Sequence, residues 1–284
     1  MIIIADGGST KTSWCLLTDT QQKIYFNTEG YNPYFSSTEY IIDSLKNNLP
    51  SDLALAEISE VYYYGAGCST DEKVGIVVKA MQTVFTAAKV YVGHDLLASA
   101  RALLGNKEGF AAILGTGTNT CLYDGKDITL NIDSLGYFLG DEGSGSFIGK
   151  RLLRDYMRGY MPENLGEIFF KTYGLSHADI FENLYNKPLP NRFCASFSKF
   201  IYDNNNFAEY TRDVVGEAFT AFFQNLVSHY PNYKNYPLNC VGSVAYNFRD
   251  VLSEVAGKYG MQVGKIIRSP IDDLVQYHQD FPIS

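Results

Sequence analysis

The chain has 284 residues, 46% hydrophobic and 19% charged, with a formal net charge of −8. That length and composition suit a globular chain of one large or two modest domains with a sizeable core, and exclude a disordered one. The acidic balance argues against sequence-independent nucleic-acid binding and against docking on an anionic membrane, which both call for Lys and Arg.

In chain order, Ile2–Ala5 reads as a buried strand, followed by strands at Ser13–Thr18 and Lys23–Asn27. A helix is expected over Ser37–Asn48, a strand over Val61–Gly65 and a helix over Thr70–Ala88 with Ser69 or Asp71 near its cap. Lys89–Gly93 is a strand ending in "GHD", and Leu96–Leu104 a helix. The pattern then restarts. Strands are expected at Gly109–Leu114, Cys121–Tyr123 and Ile128–Ile132, and a long helical stretch from about Gly145 to His229, broken near Met161–Pro162, Gly174 and Pro188–Pro190. Asn239–Val241 and Gln262–Ile267 return to strand, with a helix between them and another at Ile271–Gln279.

No stretch approaches the roughly 20 apolar residues of a membrane helix. The opening "MIII" is broken by Asp6 and lacks a basic start, so it does not read as a signal peptide. The five cysteines are widely spaced with no C-x-x-C, which suggests reduced thiols in a cytoplasmic protein.

The two halves match at a fixed offset: Gly7, Thr10, Thr12 and Asp19 fall on Gly115, Thr118, Thr120 and Asp127, each 108 residues on. The order of elements repeats as well. The reading is an α/β fold, a domain duplicated at 1–106 and 107–284, with a helical insertion at about 145–235 in the second copy. The terminal helix has the option of packing back on the first domain.

Five segments can carry chemistry. "DGGSTKTSW" puts a glycine turn between two strands, where uncovered N–H groups of Gly7, Gly8 and Ser9 attract phosphate oxygens, with Thr10, Lys11 and Thr12 adding hydroxyls and a charge. A plain hairpin turn is the competing account. "GTGTNT" repeats the device at Gly115, Thr116, Gly117 and Thr118, and a matched pair facing across a cleft can hold a triphosphate. "SLGYFLGDEGSGSFIG" sets Asp141 and Glu142 among five glycines before a helix, where carboxylates can hold Mg²⁺ or simply cap. Asp95 ends a strand where α/β crevices open, or serves as an N-cap. His94 reads as a packed or surface residue. Gly242 and Ser243 form a strand-to-helix turn that passes an adenosine or simply packs tightly.

Together these segments resemble the phosphate, connecting and adenosine segments of the actin and sugar-kinase ATPase superfamily. More narrowly, they are similar to the BadF/BadG/BcrA/BcrD ATPase family and its short bacterial N-acetylglucosamine kinase branch. The resemblance covers nearly the whole chain. It implies two ribonuclease-H-like halves, ATP with Mg²⁺ as cofactors, and phosphorylation of an amino sugar, N-acetylglucosamine to its 6-phosphate above all. It implies Asp95 as catalytic base, Asn32, Thr116, Asn119, Gly136 and Asp141 as sugar contacts, and Asp6 with Asp141 at the metal. The branch often has Trp–Gly before "GDEG", where this chain has Leu135–Gly136. The expected partner is a small-molecule sugar, with no nucleic acid and no membrane, and a homodimer is an open assembly. The other readings are an ATP-hydrolysing activator of the same family, which needs cysteines for an iron–sulfur cluster, and a nucleotide- or sugar-sensing protein.

Overall fold

The computed structural model describes residues 1–8, 10–51 and 53–281. The chain divides into two units, Met1–Asn106 with Pro270–Ser284, and Lys107–Ser269.

The first unit is built from β1 (Ile2–Gly7), β2 (Lys11–Leu17), β3 (Lys23–Glu29), α1 (Thr38–Asn48), β4 (Glu60–Gly65), α2 (Asp71–Val84), β5 (Lys89–His94) and α3 (Asp95–Leu104). A terminal helix, Ile271–Asp280, belongs to it as well. The strands form one sheet in the order β3-β2-β1-β4-β5. The hairpins β1–β2 and β2–β3 are antiparallel; β1–β4 and β4–β5 are parallel. Period-two alternation decides what each face buries. Ile3, Ala5, Val61 and Tyr63 share a core with Ile41 and Leu45 of α1 and with Val77, Ala80, Met81 and Val84 of α2. Tyr62 and Tyr64 point the other way, their ring centroids 4.2 and 5.8 Å from that of His278 on the terminal helix. The single Trp14 stacks on Phe26 and donates to Thr28 Oγ1 at 2.9 Å, so it is a core residue.

The second unit repeats the plan: β6 (Glu108–Leu114), β7 (Thr118–Asp124), β8 (Ile128–Leu130), then after a helical excursion β9 (Leu238–Val241) and β10 (Val263–Ile267), in the order β10-β9-β6-β7-β8. The pairings are again two antiparallel hairpins and two parallel neighbours. The excursion is α4 (Gly136–Leu139), α5 (Gly145–Arg158), α6 (Glu163–Tyr173), α7 (His177–Tyr185), α8 (Pro190–Ser196), α9 (Ser198–Asp203) and α10 (Ala208–Asn225). It stands where the first unit has α1 and one short 3-10 turn, Leu55–Glu57. Between β9 and β10 lie α11 (Ser243–Asn247) and α12 (Arg249–Lys258). α10 buries Thr211, Val214, Val215, Ala218, Phe219, Phe222 and Phe223, a three-and-four spacing that puts one stripe against Phe110, Ala112 and Leu114 of β6. This is the duplicated ribonuclease-H-like α/β fold with a helical insertion in the second copy.

Several boundaries differ from the sequence expectation. α2 stops at Val84, not Ala88, because Phe85 leaves helical geometry, is fully buried, and packs its ring beside Trp14. Its N-cap is Thr70, whose hydroxyl accepts from Lys73 N–H. β7 begins earlier, at Thr118, and β8 ends at Leu130, where the Asn131 amide turns to Thr120 O and Asn119 Oδ1. The insertion has a further break at 204–207, between α9 and α10.

Candidate functional site

In the first unit the parallel register lines up three strand ends. Gly7 of β1 lies opposite Gly65 of β4, which lies opposite His94 of β5. Asp6, Tyr64 and Gly93 form the row before. The turn after β1 is closed by Gly8 N–H donating to Lys11 O at 3.0 Å, and Thr10 O accepts from Gly30 N–H at 3.1 Å. Gly7 and Thr12 pair across the hairpin, and both are buried. A Cβ on Gly7 would collide with the Tyr63 ring, so this strand end is made without a side chain. Thr10 and Lys11 are exposed at the turn, and Ser9 lies outside the described residues.

Asp6 and Asp95 face one another electrostatically. Burial raises the Asp6 pKa most, the Asp95 charge raises it further, and Lys11 pulls it back; the result is about 7. Asp95 opens α3. Its Oδ1 is buried and lies 2.8 Å from His94 Nδ1. While the imidazole is neutral, Nδ1 accepts from Leu96 N–H at 3.1 Å as the N-cap of α3; protonated, it pairs with the Asp95 carboxylate. Asp95 Oδ1 has no donor while the imidazole is neutral. Burial pushes the His94 imidazole down, but the Asp95 carboxylate outweighs it and the net shift is upward. The sequence reading left His94 aside, and structurally it is the nearest titratable neighbour of Asp95.

Asn32 lies in the loop after β3 and accepts from Tyr34 N–H through Oδ1 at 3.0 Å. Tyr31 beside it is fully buried, and its hydroxyl pairs with Ser44. Tyr34 is exposed.

In the second unit three of the sequence segments meet. Thr118 N–H donates to Asp141 Oδ1 at 3.0 Å, and Thr118 Oγ1 donates to Glu142 O at 2.6 Å. Gly145 and Ser146 N–H donate to Gly115 O and Thr116 O at 2.8 and 3.1 Å. The "GTGT" turn and the "GDEGSG" loop are thus laced into one body. Gly117 lets Asp141 approach, since a Cβ there would stand 3.0 Å from both carboxylate oxygens. Gly242, at φ +129°, abuts Leu114 and the Gly115 nitrogen so closely that a Cβ would overlap Leu114 O. Ser243 follows at the start of α11. Space beside Gly115 and Gly136 is open to 4 Å.

Asp141 is 6% exposed and held at φ +58°, a left-handed conformation that is uncommon outside glycine. Burial raises its pKa against the Thr118 hydrogen bond and the Lys150 charge. Lys150, absent from the sequence reading, donates to Tyr137 O at 2.6 Å and lies over the Tyr137 and Phe147 rings. Ser144 caps α5 by accepting from Phe147 N–H. Asn119 Oδ1 accepts from Asn131. Gly136 follows the left-handed Leu135 at the start of α4.

Among the described residues no group of three or more His, Cys, Asp or Glu is placed to hold a metal. Mg²⁺ asks for less, one or two carboxylates with substrate oxygens completing its shell. A half-buried carboxylate raised by desolvation and by a second carboxylate fits that demand at Asp6, because a divalent cation relieves both. All five cysteines are buried thiols. No helix among the described residues is long and apolar enough to cross a membrane.

A scan against protein-family models finds no match, and a search of curated proteins finds none. Solved structures do match. A Porphyromonas gingivalis protein, provisionally assigned as an N-acetylglucosamine kinase, is 40% identical over all of both chains, with a TM-score of 0.94. A Chromobacterium violaceum protein with the same provisional assignment is 16% identical, covering 97% of this chain and 98% of that one, with a TM-score of 0.71. A Streptomyces griseus ROK family glucokinase, solved with glucose and AMPPNP, is 14% identical over 98% of each chain, with a TM-score of 0.62. The last two share the fold. The first, at its identity and coverage, shows more: this chain belongs to the N-acetylglucosamine kinase-like family of the Porphyromonas gingivalis protein, within the actin and sugar-kinase ATPase fold.

Proposed function

We propose that the chain is an ATP-dependent sugar kinase that phosphorylates an amino sugar, N-acetylglucosamine to its 6-phosphate first among the candidates. The observation that carries the reading is the 40% identity over the full length of both chains to a protein provisionally assigned as an N-acetylglucosamine kinase. We further assign the chain to the BadF/BadG/BcrA/BcrD group, on the four sequence segments that resemble it.

The reaction makes a phosphate ester at a sugar hydroxyl and releases ADP, so the chain must position groups and neutralise charge more than do covalent chemistry. Gly7, Gly8, Ser9, Thr10, Lys11 and Thr12 bind phosphate oxygens in this reading, as do Gly115, Thr116, Gly117 and Thr118. Gly242 and Ser243 pass the adenosine. Asn32, Thr116, Asn119, Gly136 and Asp141 hold the sugar. Asp6 and Asp141 would hold Mg²⁺, which would supply charge neutralisation for the phosphates. Asp95 takes the hydroxyl proton on its carboxylate, beside the His94 imidazole whose Nδ1 lies 2.8 Å from Oδ1.

The test is Mg-ATP turnover against a sugar panel, N-acetylglucosamine first, beside N-acetylmuramate, glucosamine, glucose and a no-sugar control. Sugar-dependent ADP release with a phosphosugar product is expected. ADP release indifferent to sugar overturns the kinase reading.

A further inference from the structure

Two loops of the first unit touch. Asn32 lies in the connection between β3 and α1, and Gly67 in the connection between β4 and α2. Gly67 has φ +79°, the left-handed region, and a Cβ built on it would overlap Asn32 Oδ1 and stand 2.9 Å from Asn32 Cγ and 3.2 Å from Tyr34 Cδ2. The bare glycine is what lets the Asn32 carboxamide lie where it does.

The same carboxamide has a fixed orientation. Nitrogen and oxygen of an amide are ordinarily told apart only by their partners. Here Oδ1 faces the N–H of Tyr34 at 3.0 Å, and an N–H can only donate. The oxygen is therefore the inner atom, turned to the loop and to Gly67. The nitrogen is the outer one, and no group among the described residues accepts from it. The loop is fastened on the same side by the Tyr34 hydroxyl with Ser69 Oγ at 3.3 Å, by Lys73 Nζ 5.0 Å from the Tyr34 ring centre, and by Thr38 Oγ1 donating to Ile76 O at 3.1 Å. Gly67 follows Gly65 by two residues, and Gly65 sits between Gly7 and His94 in the row of strand ends. The Gly67–Asn32 contact thus lies two residues beyond that row along the chain.

We infer that Gly67 is a positioning residue that holds the Asn32 carboxamide with its nitrogen outward, so that Asn32 meets the sugar as a hydrogen-bond donor to a hydroxyl oxygen. The inference rests on the kinase reading for the identity of the ligand, and on the contact alone for the positioning. It selects ligands that offer an acceptor oxygen at this point. A carboxylate in place of the carboxamide keeps the bond to Tyr34 but loses both outward donors.

The experiment combines steady-state kinetics with backbone amide hydrogen exchange on the full chain. The variants are Gly67→Ala, Gly67→Asn, Asn32→Asp, Asn32→Ala and the Gly67→Ala/Asn32→Ala pair. Gly67→Asn tolerates the left-handed backbone while still adding a Cβ, so it separates crowding from backbone strain. In the wild type the Tyr34 amide is protected. Both Gly67 variants and Asn32→Ala lose that protection, and Asn32→Asp keeps it. The KM for sugar rises about 10-fold in the Gly67 variants and in Asn32→Asp, the order of one lost hydrogen bond, with kcat within about 3-fold. The double variant is no worse than Asn32→Ala, because the two residues act as one unit. Unchanged Tyr34 protection in the Gly67 variants overturns the positioning, and additive KM effects do so as well. An Asn32→Asp enzyme with unchanged KM overturns the donor role. A wild type that turns over no sugar overturns the kinase reading, while the Tyr34 amide still decides the positioning.

Discussion

Tyr64 and His278 are joined by a 3.0 Å hydrogen bond although 214 residues separate them in the chain. The proton can be placed on the tyrosine. Arg101 Nη1 donates to the Tyr64 hydroxyl at 2.6 Å, so that hydroxyl in turn donates to His278 Nε2. His278 is 5% exposed, and burial, with the Arg101 charge, lowers its pKa to about 3. The bond fastens the terminal helix to the first sheet only while the imidazole is neutral.

That gives the fold a pH dependence. Between about 3 and the ordinary value of 6.5, unfolded His278 binds a proton that the folded residue refuses. Stability is therefore full above pH 6.5 and declines as the pH falls toward 3. Melting temperatures from pH 8 to pH 4, followed by circular dichroism, are expected to fall more steeply in the wild type than in His278→Asn. Parallel curves exclude His278 as the cause.

Asp6 has the opposite sign. Its folded pKa of about 7 lies above the ordinary 3.8, so the folded chain without ligand holds a proton that the unfolded chain releases. Ligand-free stability falls as pH rises from about 4 to about 7. Asp6→Asn removes the burial and repulsion terms together. It is expected to melt higher than the wild type at pH 8 while losing Mg-dependent turnover, a trade between stability and function. A variant that melts lower at pH 8 counts against this account.

Asp95→Asn keeps the size and the helix start but removes the proton acceptor. The expectation is a kcat lower by about 10²- to 10⁴-fold with an unchanged far-ultraviolet spectrum and melting temperature within a few degrees. Near-normal phosphorylation by a folded Asp95→Asn assigns the proton to another group.

Ser144 caps α5, and its hydroxyl also pairs with Ser146 Oγ at 2.9 Å. Ser144→Ala is expected to cost about 1 kcal/mol of stability, measured by urea unfolding. Because the cap fixes the loop that carries Asp141, sugar KM should rise in the same variant. A stability loss with unchanged KM confines Ser144 to the fold.

Much of the architecture is legible in the residues. Apolar runs such as Ile2–Ala5 and Gly109–Leu114 lead into glycine turns, and the glycines and threonines recur at one offset, so the duplicated plan can be read. Proline and glycine mark three of the breaks in the insertion. Side-chain choices across distance are not legible. Phe85 ends α2 because a pocket beside Trp14 takes its ring, and nothing local says so. Glycine turns announce themselves, but not their contacts. The Thr118–Asp141 bond spans 23 residues, and the meeting of Gly67 with Asn32 joins two loops on different strands. "GAG" at Gly65–Gly67, directly after a strand, is the one local signal for the latter. His94 looked ordinary because its role depends on where Asp95 puts its carboxylate.

The terminal helix has a consequence for how the protein is made. Lys107–Ser269 is one uninterrupted run of chain, whereas the first unit is assembled from two runs, Met1–Asn106 and Pro270–Ser284. A ribosome delivers the earlier run before Lys107–Ser269 and the closing helix only after it. Tyr62 and Tyr64 await the His278 ring until the whole of Lys107–Ser269 has been made. The half that is synthesised first is the half that is finished last, and a fragment cut at residue 106 lacks a piece of its own core.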